Sequence, residues 1–479
     1  MEKKFEKEKL IKKSENFSQW YIDVILKAEL AEYAPVKGCQ IFKPYGYAVW
    51  ELIQKFLNEK IKETGAKNAY FPIFIPESLL KKEKEHVEGF SPELAVVTMG
   101  GGQELKEKLV VRPTSETIMY ETFAKWVKSW RNLPLKINQW ANVVRWEKRP
   151  RLFLRTTEFL WQEGHTCHAT QKEAKREATR ALKMYANFYR EFLALDGYLG
   201  RKSESEKFPG AEATLTYEIL MPDGKALQGC TSHDLGQNFS KAFGIKFVDK
   251  TGKEKFVWQT CWGFTTRSIG AIVMVHGDDN GLIFPPKIAP IQVVIIPIFK
   301  KNLNLKLKEY AEKVKKTLEG FRVEVDLRKE YSPGWKFNEW ELKGVPLRIE
   351  VGEIELREKT VTLARRDNFE KKKEKLKNVK EKVKEILDDI HSSLFKKHSK
   401  FTRENTREVK NFEEFKKTIE TKKGFIKAFW CENRECEEKI KQETKATTRC
   451  LPLKSKKEKG KCIVCGKNAF YKWIFAQAY

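Results

Sequence analysis

The chain has 479 residues, of which 41% are hydrophobic, and it carries a formal net charge of +27. This length exceeds the size at which one hydrophobic core stops growing, so we expect roughly two to four domains. The excess of Lys and Arg favours a polyanionic partner such as nucleic acid. The charged N-terminus has no apolar run of signal-peptide length, and no stretch approaches the ~20 apolar residues of a membrane span.

The first elements of the chain are predicted to be helices. Residues 1–34 and 45–64 read as helical, and Gly65 is placed to end the second, amphipathic helix. Residues 68–76 then predict a strand, and Pro72 inside this strand indicates an edge or an interface. A helix followed by a strand with proline is also what a dimer interface would look like.

A second strand is expected to end at Val110 and Val111 and to lead into a helix that starts near Ser115. Thr114 and Glu116 lie at this turn. Their side chains can cap the helix or contact a ligand, and the two roles are compatible.

The stretch from Arg145 to His165 is the densest in functional side chains. It reads as a strand over 141–147, a basic turn broken by Pro150, and a second strand over 153–165 with a period of two. That period would place on one face Arg155, Thr157, Phe159, Trp161 and Glu163. A face that is cationic, aromatic and acidic suits a ligand with an anionic end, a flat middle and a cationic end. The alternative is a surface hairpin with cross-strand ion pairs.

Polar residues gather at the end of a later strand. After a long helix over 169–195, short strands are expected over 214–221 and 225–233. The second carries Gln228, Thr231, Ser232 and His233. A single histidine there can be a core residue with satisfied hydrogen bonds, but the accompanying amide and hydroxyl groups favour a binding site.

Residues 267–276 predict an apolar helix that opens with Arg267. Cations are disfavoured at a helix N-terminus. Arg267 therefore indicates an external anion, to which the first amides of the helix would also donate.

From Ile291 the predicted strands and helices alternate, which is typical of a small α/β domain that ends in a basic helix over 369–395. The remaining chain holds two close cysteine pairs, Cys431 with Cys436 and Cys462 with Cys465. Two such pairs are what a tetrahedral thiolate Zn²⁺ site requires.

Other cysteines are scattered singly, among them Cys450, which we expect to be buried. This arrangement excludes a disulfide framework and indicates a reducing, cytoplasmic environment.

Several motifs together resemble those of the class II aminoacyl-tRNA synthetases and, within that class, the prolyl-tRNA synthetases. They are Thr114-Ser115-Glu116, Trp161-Gln162-Glu163-Gly164-His165, Thr231-Ser232-His233 and Gly344-Val345-Pro346-Leu347-Arg348. The cysteine pairs and Tyr479 resemble the archaeal and eukaryotic-type branch.

The resemblance implies an α+β fold and a homodimer. An antiparallel sheet of six or seven strands, flanked by helices, would form a class II catalytic domain over 1–288. An α/β anticodon-binding domain over 289–395 and a zinc-binding α/β domain over 396–479 would follow.

The resemblance also implies ATP-dependent attachment of L-proline to tRNA(Pro) through a prolyl adenylate. Arg145 would hold the α-phosphate and the prolyl carboxylate, and Arg267 would hold the γ-phosphate, which makes these two the catalytic residues. Glu147 would bind the adenine amino group and Phe159 would stack on the ring. The other ATP contacts would be Arg155, Thr156, Gln228 (also near Mg²⁺), Thr231 and Thr265.

The proline pocket would use both acceptors and apolar groups. Thr114 and Glu116 can accept the two N–H donors of the proline ammonium, and Trp161 can cover its ring. The remaining pocket residues implied by the family are Glu163, His165, Phe208 and His233.

In the anticodon-binding domain, Glu341 and Arg348 would read guanines of the anticodon. One departure from the family pattern occurs at Gly352-Glu353-Ile354-Glu355, where proline, a basic residue and aspartate usually follow the glycine. The resemblance therefore gives no anticodon contacts for this run.

The segment between His165 and Gly263 leaves no stretch for an editing domain of ~100 residues, so we expect no editing in cis. Two other functions stay open. One is a paralogue that makes an adenylate but charges no tRNA, and the other is a zinc-containing nucleic-acid-binding regulator with an inactive catalytic core.

Overall fold

A computed structural model of the protein describes residues 10–80, 94–299 and 305–479. Its helices, in chain order, are Phe17–Lys27 (α1), Pro44–Glu63 (α2), Glu77–Leu80 (α3), Glu116–Trp126 (α4), Gln171–Glu191 (α5), Asn238–Phe243 (α6), Arg267–His276 (α7), Leu305–Thr317 (α8), Pro333–Leu342 (α9), Glu353–Glu358 (α10), Val379–Glu404 (α11), Phe412–Thr421 (α12) and Arg434–Thr444 (α13).

We refer to residues 1–288 as the first segment, 289–395 as the middle segment and 396–479 as the C-terminal segment. Their strands are Ala31–Tyr33 (β1), Gln40–Phe42 (β2), Lys67–Asn68 (β3), Phe74–Pro76 (β4), Ala95–Gly100 (β5), Gln103–Val111 (β6), Leu135–Val144 (β7), Glu158–His168 (β8), Tyr198–Arg201 (β9), Ala213–Leu220 (β10), Ala226–Gly236 (β11), Lys246–Val248 (β12), Glu254–Phe256 (β13), Trp258–Thr265 (β14), Val293–Pro297 (β15), Val323–Val325 (β16), Leu347–Val351 (β17), Thr360–Arg365 (β18), Lys371–Lys375 (β19), Thr406–Glu408 (β20), Phe425–Phe429 (β21), Thr447–Pro452 (β22), Gly460–Lys461 (β23), Asn468–Ala469 (β24) and Lys472–Ala476 (β25).

The largest sheet has eleven strands in the order β20-β21-β25-β22-β9-β10-β11-β14-β8-β7-β3. The part from β9 to β3 belongs to the first segment and is antiparallel, apart from the short β3, which runs parallel to β7. Helix α5 covers one face, where Tyr185 and Tyr189 place their rings 5.8 and 5.2 Å from that of Phe264. The predicted antiparallel sheet flanked by helices is therefore confirmed.

The C-terminal segment extends this same sheet. Strand β22 pairs antiparallel with β9, so that Leu451 lies opposite Arg201. The sequence had indicated a separate zinc-binding unit after residue 396. It contained no sign that this unit would continue the first segment's sheet.

Two predictions near the N-terminus are corrected. The helix expected over 1–34 is present only as α1, because the chain turns at Glu29 (φ 59°) into the β1–β2 hairpin; residues 1–9 lie outside the described residues. The strand expected over 68–76 is split into β3 and β4. Between these strands the Phe71 N–H donates to the Gln139 side chain at 2.6 Å instead of to a neighbouring strand. Both β3 and β4 are edge strands, as the proline indicated.

The middle segment is the predicted small α/β domain. Strand β15 lies between β16 and β17 and runs parallel to both, and β18 and β19 complete the sheet in antiparallel pairing. The helix predicted over 369–395 is wrong at its start, because 371–375 form the edge strand β19. Lysines at an edge strand remain solvated and protect it from further pairing. The helix itself, α11, begins only at Val379 and runs on to Glu404.

The first and middle segments have separate hydrophobic cores. Trp20, Trp50 and Trp262 are at most 2% exposed and belong to the first, whereas Val293 and Leu347 belong to the second. Within the described ranges, no helix is both long enough and apolar enough to cross a bilayer.

Candidate active site

A cavity of about 690 Å³ opens over the face of β8, β11 and β14. All sixteen residues that the sequence analysis assigned to the ATP and proline sites line it. They are Thr114, Glu116, Arg145, Glu147, Arg155, Thr156, Phe159, Trp161, Glu163, His165, Phe208, Gln228, Thr231, His233, Thr265 and Arg267.

Strand β8 supplies the centre of the cavity through its period of two. Phe159, Trp161, Glu163 and His165 alternate along it and share the cavity face, because successive side chains of a strand point to opposite sides. The predicted face is corrected at its start, since β8 begins only at Glu158. Arg155 reaches the cavity from the preceding turn. Thr157 is buried outside it, where its N–H donates to the Gly38 carbonyl at 2.7 Å.

One end of the cavity is cationic. The Arg145 Nε donates to the Pro113 carbonyl at 2.9 Å, and its guanidinium lies 5.4 Å from the ring centroid of Phe159. This carbonyl helps to fix the orientation of the guanidinium. Glu147 lies close by, with 3.8 Å between its carboxylate and Arg155.

Arg267 opens α7 at the same end. Its Nε donates to the Leu154 carbonyl at 3.1 Å, and its backbone N–H donates to Thr265 Oγ1 at 3.2 Å. Burial, together with the charges of Arg155 and Arg145, lowers the pKa of Arg267 to about 10. The residue therefore stays charged near neutral pH, and the three arginines together favour a bound anion.

The opposite end is acidic, and its carboxylates accept internal hydrogen bonds. Glu163 accepts hydrogen bonds from Ser115 Oγ and from Gln139 Nε2 (2.9 Å), and its other oxygen lies 3.0 Å from His165 Nε2. Thr114 donates to Glu116 in the same way. Neither Glu116 nor Glu163 is more than 2% exposed. Ser115 precedes α4, but its side chain makes no capping bond. The hydroxyl groups of Thr114 and Ser115 instead donate to the two carboxylates that line the cavity.

Two histidines at this end have pKa values shifted in opposite directions. Burial alone would lower the pKa of His165, but its hydrogen bond to Glu163 and the charges of Glu116 and Glu163 raise it overall. Burial lowers the pKa of His233 to about 3, so this imidazole is neutral. His233 Nδ1 is satisfied by Thr214 Oγ1 at 2.9 Å, and the ring also lines the cavity. His233 is thus a buried histidine with a satisfied ring nitrogen, and its role in binding stays a prediction.

Residues of the C-terminal segment also line the cavity, which sequence reasoning missed. Lys445, Thr447 and Arg449 flank it, and so does Tyr479, whose carbonyl accepts from Arg155 Nη2 at 3.0 Å. No local pattern could have indicated this, because the contacts depend on the pairing of β22 with β9.

The four predicted zinc ligands, Cys431, Cys436, Cys462 and Cys465, form a second cluster, and their sulfurs all lie within 4.8 Å of one another. Cys431 Sγ is 3.7 Å from both Cys436 Sγ and Cys465 Sγ. Thiolates ~2.3 Å from a tetrahedral ion lie about 3.8 Å apart, so this spacing fits one zinc ion. Cys450 is buried elsewhere, as expected.

Models of known families match all three segments. Residues 96–276 match the tRNA synthetase class II core domain (G, H, P, S and T), and residues 292–386 match the anticodon binding domain. Residues 412–479 match the C-terminal domain of prolyl-tRNA synthetase.

Curated relatives are similar over nearly the whole chain. The chain is 50% identical over 469 residues to a proline–tRNA ligase of Natranaerobius thermophilus, with 97% of each chain covered. It is 52% identical over 474 residues to proline–tRNA ligase 2 of Clostridioides difficile, with 98% of each covered. The chain belongs to the prolyl-tRNA synthetase family. The predicted proline–tRNA ligase activity is confirmed.

Solved prolyl-tRNA synthetases share the fold. A crystal structure of the Cryptosporidium parvum enzyme complexed with halofuginone and AMPPNP has a TM-score of 0.95 at 45% identity and covers 98% of this chain and 99% of its own. Another from that organism, complexed with L-proline and AMP, has a TM-score of 0.94 at 42% identity, with 98% and 97% covered. The predicted class II architecture is confirmed.

The predicted anticodon residues lie apart from the cavity, in the middle segment. Arg348 pairs with Glu341 at 2.7 Å and with Glu350 at 2.9 Å. The departure from the prolyl-tRNA synthetase pattern has a structural role here. The Glu355 carboxylate accepts the Gly352 N–H at 3.0 Å and the Thr362 hydroxyl at 3.2 Å, which fixes the start of α10.

Proposed function

We propose that this prolyl-tRNA synthetase activates L-proline with ATP in the cavity and transfers the prolyl group to tRNA(Pro). One observation carries the proposal: the cavity has a cationic end, an aromatic centre and an acidic end. A triphosphate, a nucleobase and a secondary ammonium have complementary chemistry. The relatives described with AMPPNP, and with L-proline and AMP, support the same ligands.

At the cationic end, Arg145 would contact the α-phosphate and the prolyl carboxylate, and Arg267 the γ-phosphate. Glu147 would accept the adenine amino group, and Phe159 would stack on the ring. The guanidinium groups of Arg145 and Arg267 are already anchored on carbonyl oxygens. Little reorganisation is then needed as negative charge develops on the phosphate.

Further ATP contacts would position the nucleotide rather than take part in bond making. They are Arg155, Thr156, Gln228, Thr231 and Thr265. Mg²⁺ prefers few protein oxygens together with phosphate oxygens and water, so the amide oxygen of Gln228, which lines the cavity, fits this ion. When bound, Mg²⁺ would neutralise phosphate charge.

At the acidic end, Thr114 and Glu116 would accept the two N–H groups of the proline ammonium. Trp161 and Phe208 would cover the pyrrolidine ring, and Glu163 with His165 and His233 would close the pocket. The internal hydrogen bonds of Glu163 hold it in place before proline arrives. Preorganisation of this kind lowers the entropic cost of binding.

The chemistry requires positioning and charge stabilisation rather than a protein nucleophile. A proline carboxylate oxygen attacks the α-phosphorus and pyrophosphate leaves. The 3′-hydroxyl of the terminal adenosine of tRNA then attacks the prolyl carbonyl, loses its proton and expels AMP. Holding the carboxylate and the α-phosphate on one arginine brings the reacting atoms together.

Glu341 and Arg348 are proposed to read guanines of the anticodon. Arg348 lies with its guanidinium 4.0 Å from the Phe337 ring centroid and is paired on both sides, so it is held in one orientation. An oriented guanidinium can donate two hydrogen bonds to a guanine edge, as arginines do in nucleic-acid recognition.

One structural Zn²⁺ is proposed on Cys431, Cys436, Cys462 and Cys465. The sulfur spacing supports a site closed by four thiolates, which leaves no coordination position for catalysis. All nine cysteines are free thiols, in keeping with a reducing cytoplasm. The segment boundaries at 288 and 395 are also part of the proposal, as is the homodimer.

The deciding experiment is ATP–pyrophosphate exchange with a panel of amino acids, followed by charging of tRNA(Pro). Exchange that depends on proline, followed by charging, would support the proposal. Exchange without tRNA binding would instead indicate an adenylate-forming paralogue. Binding of tRNA without exchange would indicate a regulator with an inactive core.

A further inference from the structure

The loop between β9 and β10 forms one wall of the cavity, and we call residues 202–212 the wall loop. It carries Phe208, whose ring lies 4.5 Å from that of His233. The Phe208 N–H donates to Thr214 Oγ1 at 2.8 Å, and the same hydroxyl contacts His233. The position of the wall loop therefore sets the apolar side of the pocket.

The base of the wall loop is held by one carboxylate of the C-terminal segment. Ser203 Oγ donates to Glu437 Oε1 at 2.8 Å, and Ser205 Oγ donates to Glu437 Oε2 at 2.5 Å. Thr448 of β22 donates to Glu437 as well. Glu437 is 7% exposed, so both of its oxygens depend on these hydroxyl groups for satisfaction.

Charged residues fix the strands on either side of this contact. Glu218 of β10 pairs with Lys202 at 2.9 Å and with Arg449 of β22 at 2.8 Å. All three side chains are almost completely buried. Breaking such a buried pair is costly, so β22 is rigidly connected to β9 and β10.

Glu437 is connected to the cavity by a second route. It lies on α13, and the residue after that helix, Lys445, adopts a left-handed conformation (φ 58°) and lines the cavity. Thr447 and Arg449 follow on the same wall. Glu437 thus contacts the wall loop and lies on the helix that leads to Lys445.

We propose that Glu437 is a positioning residue for the amino-acid pocket. It holds the wall loop, and through Phe208 it sets how closely the pocket fits the pyrrolidine ring. A looser loop would lose contact with the ring methylenes of proline and lose less with the smaller alanine. Selectivity for proline would fall. The inference rests on the proposed proline pocket.

The test compares Glu437→Gln with Glu438→Gln in the full-length protein. Glu438 is the next residue of α13, has a half-exposed side chain and pairs with Arg434 at the surface. In ATP–pyrophosphate exchange, Glu437→Gln should raise the KM for proline about fivefold, the order expected for one lost buried contact. The ratio of kcat/KM for proline over alanine should fall by a similar factor, while kcat and the KM for ATP change less than about twofold. Glu438→Gln should behave like the unaltered enzyme.

A second variant approaches the same contact from the loop. Ser205→Ala should raise the KM for proline in the same direction, and adding it to Glu437→Gln should produce less than the product of the two effects, because the residues act through each other. If Glu437→Gln fails to fold, Ser205→Ala with this selectivity readout carries the test alone.

The outcomes separate the two proposals. An unaltered enzyme that does not activate proline would refute the proposed pocket. If Phe208→Ala raises the KM for proline but neither Glu437→Gln nor Ser205→Ala does, only the positioning role is overturned. Equal losses in kcat and in both KM values, with a lowered melting temperature, would also overturn it, since a general structural effect would then explain the result.

Discussion

The cavity and the cysteine cluster are both assembled from residues distant in sequence, but their contacts differ. In the cavity, Arg145 and Arg267 donate to carbonyl oxygens and line a space of about 690 Å³. In the cysteine cluster, Cys431 Sγ lies 3.7 Å from two other sulfurs, a spacing that fits one tetrahedral ion. An open cavity can bind a substrate and release a product, whereas a site closed by four protein ligands can only retain its ion.

This contrast predicts which property each site controls. Changes in the cavity should affect the reaction and leave the fold intact, because its charged groups do not hold the core together. Changes in the cysteine cluster should affect metal content and stability first. The variants below test this division.

Replacing Arg145 with alanine should have the largest effect. Adenylate formation should fall at least about a thousandfold, because a preorganised donor to the transition-state charge is lost. The melting temperature should change little. Pyrophosphate exchange measures the first effect and calorimetry the second. Arg131→Ala, an arginine that stacks on Trp130 away from the cavity, is the matched control. A normal exchange rate in Arg145→Ala would refute the assignment.

Replacing Cys462 with serine should give the next largest effect. Zinc content should fall from about one ion per chain to almost none, since the site needs all four thiolates. The melting temperature should fall by several degrees. Cys450→Ser is the control, because Cys450 is buried outside the cluster and should leave the metal in place. Metal analysis after a chelator wash decides the matter, and metal loss only in Cys450→Ser would contradict the ligand set.

The two histidines of the cavity should have pKa values shifted in opposite directions. The pKa of His165 is raised, so its contribution to stability is present below about pH 6.5 and is lost as pH rises through the folded pKa. The pKa of His233 is lowered to about 3, so its contribution is present above about pH 6.5 and declines as pH falls towards 3.

Labelled-histidine NMR between about pH 5 and 9 measures both directly. The His233 signal should keep neutral shifts throughout, and the His165 signal should titrate above its usual value. The variants His165→Asn and His233→Asn assign the two signals. A charged His233 near neutral pH would show that water reaches this end of the cavity more freely than the burial indicates.

The smallest expected effect concerns editing. Alanine lacks methylenes of proline, and each missing methylene allows only roughly 1–3 kcal/mol of discrimination, so some alanine should be activated. The chain between His165 and Gly263 is used by α5, α6 and sheet strands. We therefore expect no hydrolysis of preformed alanyl-tRNA(Pro) above the buffer rate. Enzyme-dependent hydrolysis would reveal a second open site and would contradict the contrast between one open cavity and one closed cysteine cluster.

Some cavity residues follow local rules in the sequence, whereas others were expected only from the family resemblance. Phe159, Trp161, Glu163 and His165 follow the period of a strand, and Arg267 stands out at the start of an apolar helix. These signals need only a few neighbouring residues. The cysteine pairs are equally local.

The residues that sequence reasoning missed depend on pairing between strands that are distant in the chain. Lys445, Thr447 and Arg449 line the cavity because β22 joins β9, and no period or spacing encodes such a choice of partner. The sequence predicts helix at 371–375, where the structure has a strand, because a run of charged residues has no apolar period to distinguish the two. These residues form a strand because they pair with β18.

The shared sheet has a consequence for synthesis of the protein. Arg201 of β9 pairs with Leu451, some 250 residues later, so the edge of β9 stays unpaired until nearly the whole chain has left the ribosome. An exposed strand edge is a template for wrong association. Chains shortened before β22 should therefore aggregate during translation, even though the residues of the proposed chemistry all precede that point.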